Sequence, residues 1–151
     1  MSKRKLPPYR ESLAGTLLSA RESVMRPIRP ILRDSGLTEQ QWRVLRVLID
    51  QGELEPLQLA EAALLHAPSV TRILRELRER GLIDRRADSS DGRRSIIEAT
   101  AAGRIMVEQV SEQTLRAFDR YAEIFGRERL DALRGELAAL GSALAELQPS
   151  D

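Results

Sequence analysis

The sequence predicts a mainly α-helical fold with one small β-hairpin, and three observations support that prediction. Apolar residues recur at helical spacing through most of the chain. The period becomes extended only once, around a polar segment that contains an Asp-Gly turn signal. The 151 residues include 3% aromatic residues and no cysteine, which suits an aliphatic core and excludes a disulfide-stapled secreted module.

The first predicted helix covers residues 10–33. Pro27 and Pro30 are expected to bend or break it near its end, because proline lacks the N–H that a helix interior needs. Arg21 lies on the apolar side of this helix, whereas most of its other arginines fall on the opposite side. The residues that recur on the apolar side are Leu13, Leu17, Val24, Ile28 and Ile31.

Three shorter helices follow. Thr38 with Gln41 is a capping-box pattern that opens the second helix, residues 38–51. The third helix is predicted at 56–64 and the fourth at 67–80. The expected inward faces are Trp42, Leu45, Leu48 and Ile49 in the second helix, and Val70, Ile73, Leu74 and Leu77 in the fourth.

The extended segments at residues 82–86 and 94–98 predict one hairpin with a basic tip. Thr100 can cap a long helix that runs to residue 125, and a last helix is predicted at 128–147. Its leucines alternate at spacings of three and four, which is the pattern of a helix–helix seam. The seam consists of Leu130, Leu133, Leu137, Leu140, Leu144 and Leu147.

That seam needs a partner helix. Packing within one chain is one solution, but a two-fold homodimer of the N- and C-terminal helices is favoured, because the first and fifth helices also carry apolar faces. The predicted organisation is therefore a central region of short helices and the hairpin at residues 37–100, between dimerisation helices at 1–36 and 101–151.

Two short helices followed at once by a basic hairpin form a winged helix-turn-helix. An α-helix fits the major groove of B-DNA, and a hairpin arginine can enter the neighbouring minor groove. The net charge is only +1, yet residues 66–94 hold eight arginines and five acidic residues. The alternative is a solvated face of paired charges. The candidate DNA contacts are Ser69, Thr71, Arg72, Arg75, Arg93 and Arg94.

Residues 53–103 resemble the MarR family of winged-helix transcriptional regulators. The family's wing pattern is Asp, any residue, Arg, a strand, Thr, two residues and Gly. In this chain it is matched by Asp91, Gly92, Arg93, Thr100 and Gly103.

The resemblance implies that Pro68 lies at the start of the recognition helix among the DNA contacts, and that Arg93 enters the minor groove. It also implies that Asp91 supports the wing through an ion pair that orients a basic side chain. The chain departs from the family at Leu64, where many members have Gly, and at Ala99, where Leu is usual.

A narrower resemblance covers residues 12–75 and is carried by segments 17–22, 37–46 and 65–69. These segments are similar to the regulators of homoprotocatechuate-degradation operons, which repress genes for hydroxyphenylacetate breakdown and release DNA on binding such acids. The resemblance implies a repressor of an aromatic-catabolism operon with an aromatic carboxylate as its effector.

Arg21 supports an anionic ligand independently, because an unpaired charge on an apolar face is costly. A ligand carboxylate could pair with its guanidinium while Trp42 and Met25 cover an aromatic ring. The alternative is a permanent salt bridge, to Glu39 or to an acid of another subunit. The candidate effector residues are Arg21, Met25, Trp42, Arg43 and Arg46.

Composition excludes several other functions. His66 is the only histidine, and without cysteine it cannot build a metal site or a thiol switch, so no metal or cofactor is expected. No nucleophile–base pair indicates an enzyme. No apolar run is long enough to span a membrane, and no secretory signal is recognised, so a cytoplasmic protein is expected. The rival interpretation is a winged helix that docks proteins and binds no operator.

Overall fold

The computed structural model describes residues 4–147, except for the side chain of Ala67. The chain is mainly α-helical with one two-stranded antiparallel sheet, as the sequence predicts. The outermost residues of the predicted dimerisation segments, 1–3 and 148–151, lie outside this description. The elements are a 3₁₀ turn Tyr9–Glu11, α1 Leu13–Met25, α2 Ile28–Asp34, α3 Glu39–Gln51, α4 Pro56–Ala62, α5 Ala67–Glu79, β1 Ile83–Ala87, β2 Ser95–Ala99, α6 Ala101–Phe125, α7 Arg127–Leu144 and a 3₁₀ turn Ala145–Leu147.

The N-terminal helix predicted at 10–33 is divided into two helices near Pro27, which is one of the outcomes expected from its prolines, and α1 begins at Leu13 rather than at residue 10. α1 ends where the N–H of Arg26 donates to the carbonyl of Glu22, and Pro27 caps the start of α2. Proline has no N–H to donate to the helical hydrogen-bond pattern, so the helix is interrupted at this point. Pro30 lies in the first turn of α2, where N–H groups have no partner within the helix.

The apolar side of α1 is mostly uncovered within the chain. Leu13, Leu17 and Val24 are 59%, 38% and 43% exposed, whereas Ile28 in α2 is buried. Within one chain, the predicted apolar side is therefore covered only in its C-terminal part, at Ile28.

The core lies where α3, α4 and α5 meet the hairpin. The capping box predicted at the start of α3 is present, since Thr38 and Gln41 bond reciprocally. The predicted inward face of α5 is buried, with Ile73 and Leu77 no more than 2% exposed. The largest fully buried side chains of this core are Val44, Leu45, Leu48, Leu59, Ile73, Leu77, Ile83 and Ile97.

The hairpin is bonded on one side to a short extended segment at Leu54, which the sequence does not indicate. In the β1–β2 register Ile83 faces Ala99 and Arg85 faces Ile97. Leu54, between α3 and α4, forms an isolated bridge with Ile97, with N···O distances of 3.0 and 2.8 Å. The base of the hairpin is thus bonded to the helix-turn-helix through the backbone.

The base of the hairpin also packs against the start of α6. The Thr100 hydroxyl donates to the Gly81 carbonyl at 2.6 Å and accepts the Gly103 N–H at 3.1 Å. A Cβ atom at Gly103 would lie 2.2 Å from the Leu82 carbonyl oxygen, so only glycine fits there. The Thr and Gly of the wing pattern therefore have a structural role in this chain.

Backbone contacts divide the chain after Thr114, within α6. The second unit begins at Leu115 and contains the rest of α6 and α7. Its leucine seam faces solvent in part, since Leu133, Leu137 and Leu144 are 43%, 41% and 45% exposed. The predicted last helix, 128–147, ends earlier than expected, at Leu144, and continues as a 3₁₀ turn.

Leu64 is strained in the turn between α4 and α5. It has φ of +55°, the one positive φ of a non-glycine residue in the part of the chain that the structure covers. Its side chain is 81% exposed, so packing does not offset the cost of this conformation. This is the position where the resemblance leads one to expect glycine.

Leu64→Gly should therefore stabilise the protein by about 1 kcal/mol, because glycine adopts positive φ without a Cβ clash. The free energy of unfolding from urea titration measures the change. Leu57→Gly, at an exposed leucine within α4, is the matched control and should destabilise by a similar amount. Destabilisation by both substitutions would contradict the strain at Leu64.

Candidate nucleic-acid interface and effector site

α5 presents a polar side to solvent because its apolar side is buried. Val70, Ile73, Leu74 and Leu77 are each no more than 6% exposed. The side chain of Arg72 is 62% exposed. The candidate contacts on α5 therefore share the outer side of one helix, with Ser69 half-buried and Pro68, Thr71, Arg72 and Arg75 exposed.

A groove of about 220 Å³ separates α5 from the hairpin. Leu74, Ile83 and Ile97 form its apolar floor. Arg78 and Arg85 are arginines on its rim that lie outside the candidate contacts. Helical periodicity could have identified Arg78, since it lies one turn after Arg75. Arg85 shares a face of β1 with the buried Ile83, so strand alternation alone would have placed it inward. The polar lining consists of Thr71, Arg75, Arg78 and Arg85.

The two arginines of the hairpin tip have different partners. The Arg94 guanidinium pairs closely with the Glu55 carboxylate at the start of α4. This carboxylate raises the pKa of Arg94 above its ordinary value through their hydrogen bond. Among residues 4–147, the Arg93 guanidinium has no ion-pair partner, so Arg93 is the freer cation of the two.

Asp91 supports the tip differently from the implied ion pair. Its Oδ1 accepts the backbone N–H of Arg93 at 3.1 Å, and no ion pair joins Asp91 to a basic side chain within the described residues. A short aspartate side chain in a turn reaches the N–H two residues later more readily than a distant guanidinium. Asp91 thus fixes the backbone on which Arg93 stands.

Besides Glu55, a second acid before α4 forms an ion pair with the hairpin. Glu53 pairs closely with Arg86 of β1, and Glu98 of β2 lies 3.8 Å from the same arginine. The sequence does not indicate this contact, because Glu53 and Arg86 are far apart in the chain. Together with Glu55, Glu53 connects the segment before α4 to the wing.

Arg21 is not buried, contrary to the expectation for the apolar side of its helix. Its side chain is 47% exposed and its Nη2 lies 2.9 Å from Glu39 Oε2. This salt bridge is the alternative to a ligand that the sequence left open. Arg29 joins the same cluster, with Nε 2.6 Å from Glu39 Oε1 and both terminal nitrogens 2.9 Å from Glu22.

These two arginines stabilise the charged form of both acids. Hydrogen bonding to Arg21, and then to Arg29, holds the pKa of Glu39 below its ordinary value of 4.5 although burial opposes the shift. The hydrogen bonds from Arg29 lower the pKa of Glu22 in the same way. The cluster ties α1 and α2 to the first turn of α3 at neutral pH.

The remaining effector candidates on α3 separate into two directions. The Arg46 guanidinium lies 5.7 Å from the centre of the Trp42 ring, and its Nη2 is 3.5 Å from Asp50. Arg43 instead donates to the Leu64 carbonyl at 3.4 Å, and its buried Nε has no partner. Met25, at the end of α1, is half-buried.

His66 precedes α5 as its N-cap residue and is exposed. Within residues 4–147, no group of three or more His, Cys, Asp or Glu residues could hold a metal ion. None of the helices in that range is long and apolar enough to cross a membrane.

Glu39→Gln should destabilise the protein by about 1 kcal/mol at pH 7, because both arginines lose their shared anion. Since the folded pKa of Glu39 is lowered, its contribution is present above 4.5 and is lost as the pH falls through the lower folded value. The difference in Tm between wild type and variant should therefore shrink on acidification.

Thermal unfolding from about pH 7 to about pH 3 measures this difference. Glu61→Gln, at an exposed acid on α4, is the control and should give nearly the wild-type Tm at each pH. A difference for Glu39→Gln that grows with acidification would contradict the sign of the coupling.

Comparison with known proteins identifies the family. A model described as the MarR family matches residues 35–94. The homoprotocatechuate degradative operon repressor of Escherichia coli is 33% identical over 144 residues, which cover 93% of this chain and 97% of the relative.

Two solved structures are similar over nearly their whole length. The complex of NadR with 4-hydroxyphenylacetate is 36% identical with a TM-score of 0.79, covering 93% of this chain and 97% of that one. CouR bound to a 23-mer DNA duplex is 28% identical with a TM-score of 0.81, covering 93% and 99%. With its helix-turn-helix matched by the family model and nearly all of a repressor matched in sequence, the chain belongs to the MarR family of transcriptional regulators.

Proposed function

We propose that this chain is a homodimeric, operator-binding repressor that an aromatic carboxylic acid releases from DNA. The observation that carries the proposal is the exposed arginine surface formed by α5 and the hairpin tip. The regulated genes would serve the breakdown of aromatic acids, as the name of the E. coli relative indicates for that protein. The proposed function includes no catalytic step. A repressor of this kind would bind its operator in the cytoplasm.

The geometry of α5 suits the major groove. Arg72 and Arg75 stand on its exposed side, and a guanidinium can bond to guanine or to phosphate. Arg78 and Arg85 line the groove between α5 and the hairpin, where they could pair with phosphates of the DNA backbone. CouR, a protein of similar fold, was solved bound to a 23-mer DNA duplex, which supports duplex DNA as the partner.

The hairpin tip suits the minor groove. Narrow A·T-rich grooves concentrate negative potential that attracts an inserted arginine. Arg93 has the free guanidinium, and Asp91 holds its backbone. Arg94 would have to leave Glu55 before it contacted DNA, so it contributes less.

A homodimer accounts for the apolar residues that one chain leaves exposed. In the second unit Leu115, Phe118 and Leu133 are 59%, 41% and 43% exposed. Leu13 and Leu17 of α1 are exposed to a similar degree. Large apolar side chains exposed along a helix in this way mark association surfaces. Two-fold symmetry would present two recognition helices about 34 Å apart, so the operator should be a near-palindrome.

The Trp42–Arg46 pair is the first choice for an aromatic acid. Trp42 is 9% exposed and Arg46 lies over its ring, so the tryptophan would border the ligand, and among residues 4–147 the ion-pair partner of Arg46 is one exposed aspartate at 3.5 Å. Arg21 already holds Glu39, and Arg43 points toward the turn before α5, so both are second choices as carboxylate ligands. The complex of NadR with 4-hydroxyphenylacetate supports this ligand class.

Arg93→Ala should weaken DNA binding and reduce the slope of log K against log salt by about 1, because one cation no longer displaces counterions. Arg94→Ala should reduce the slope less, since its charge is already neutralised by Glu55. Fluorescence anisotropy with a labelled duplex at several salt concentrations measures both slopes. A larger loss for Arg94→Ala would assign the minor-groove contact to Arg94.

A gel-shift titration on the promoter region of the chain's own gene tests the whole proposal. Wild-type protein should bind it, and 4-hydroxyphenylacetate should lower the affinity by about 5- to 150-fold, the usual range of allosteric coupling. The amide of the same acid is the control and should act weakly, because it lacks the charge for Arg46. Unchanged affinity with the acid would refute the effector, and absence of a shifted band would refute the repressor.

A further inference from the structure

Gln41 is a buried polar residue whose side chain is fixed at one end. It is 6% exposed, in the first turn of α3. Its Oε1 accepts the backbone N–H of Thr38 at 3.2 Å, and its own backbone N–H donates to the Thr38 hydroxyl at 3.1 Å. Because the capping box takes the oxygen of this amide, the nitrogen must find its partner elsewhere.

That partner is an acid on the recognition helix. Gln41 Nε2 donates to Glu76 Oε2 at 3.0 Å. The other oxygen of the same carboxylate, Oε1, lies 3.9 Å from Nε of Arg72, one turn earlier in α5. A buried amide in α3 is thus connected, through one carboxylate, to an arginine on the exposed side of α5.

The contact between Arg72 and Glu76 contributes little to folding, since their side chains are 62% and 41% exposed and water screens such pairs. Its effect is on orientation. A long arginine side chain loses conformational freedom when it binds, and an arginine that is already oriented loses less. Gln41 holds Glu76 in place, so Glu76 can restrict Arg72 in the free protein.

A carboxylate on the DNA-facing helix also has a cost. It repels phosphate and so weakens binding to every duplex alike. Contact with a base edge, in contrast, depends on the direction of the guanidinium fork. An acid that directs the fork therefore trades general affinity for selectivity.

We propose that Glu76, held by Gln41, is a positioning residue that directs Arg72 to its base and so increases operator specificity rather than affinity. The inference rests on the proposed function, because it requires that Arg72 binds DNA. It assigns roles to two residues outside the candidate contacts.

Glu76→Gln and Glu79→Gln provide a matched pair for the test. Each removes one negative charge from α5, and Glu79 is exposed at its end. Dissociation constants are measured for two duplexes at one salt concentration: an operator selected by the wild-type protein from random DNA, and an unrelated duplex of equal length. The readout is the specificity ratio between the two constants.

Glu79→Gln should strengthen binding to both duplexes equally and leave the ratio unchanged. Glu76→Gln should lower the ratio by about three- to tenfold, because a misdirected guanidinium loses part of its base discrimination. Equal ratios for the two variants, with a wild-type preference for the operator, would overturn this inference alone. A wild-type protein without such a preference would overturn the proposed function and this inference together.

A double-mutant cycle between Gln41 and Arg72 tests the first link. Gln41→Leu should lower the specificity ratio in the wild-type background and have little further effect in the Arg72→Ala background. The effects of substitutions at residues linked by one series of contacts are not additive. Gln58→Leu is the control for lost capping, because Gln58 completes the corresponding box of α4. Additive losses would mean that Gln41 acts on DNA binding by another route. If Gln41→Leu does not fold, the Glu76 and Glu79 variants still decide the question.

Discussion

The burial of one side of α5 is the constraint on which the rest of this protein depends. Ile73 and Leu77 are held against the core, so the rotation of the helix about its axis is fixed. A helix with a fixed rotation presents the same side chains in every molecule, and here these include Arg72 and Arg75. Recognition by side chains that are long and flexible requires such a backbone, because the side chains cannot supply the precision themselves.

The acids of this chain decide which of its many arginines remain available. Glu55 engages Arg94, Glu53 engages Arg86, and Glu39 is shared by two arginines of the N-terminal helices. A net charge near neutrality is therefore compatible with a strongly basic surface. The distribution of pairs, rather than the total charge, describes how the protein meets a polyanion.

Local signals in the sequence were sufficient for most of the fold. The capping box at Thr38, the apolar repeat of α5 and the Asp-Gly turn each act over a few residues, so they can be recognised without coordinates. Contacts between distant segments were not predictable in this way. The bridge from Leu54 and the exposure of Arg21 depend on where other segments fold. Helical position alone indicated that Arg21 is buried, whereas its side chain is 47% exposed. The division of α1 from α2 agrees with the bend or break expected at Pro27 and Pro30, because proline acts locally.

The close approach of Gly103 to the Leu82 carbonyl has a mechanical consequence. A contact between side chains can adjust by changing rotamers, but a contact between two backbones contains no such freedom. The first turn of α6 and the root of the hairpin therefore shift together. A displacement of that turn also moves the root of the strands that lead to Arg93.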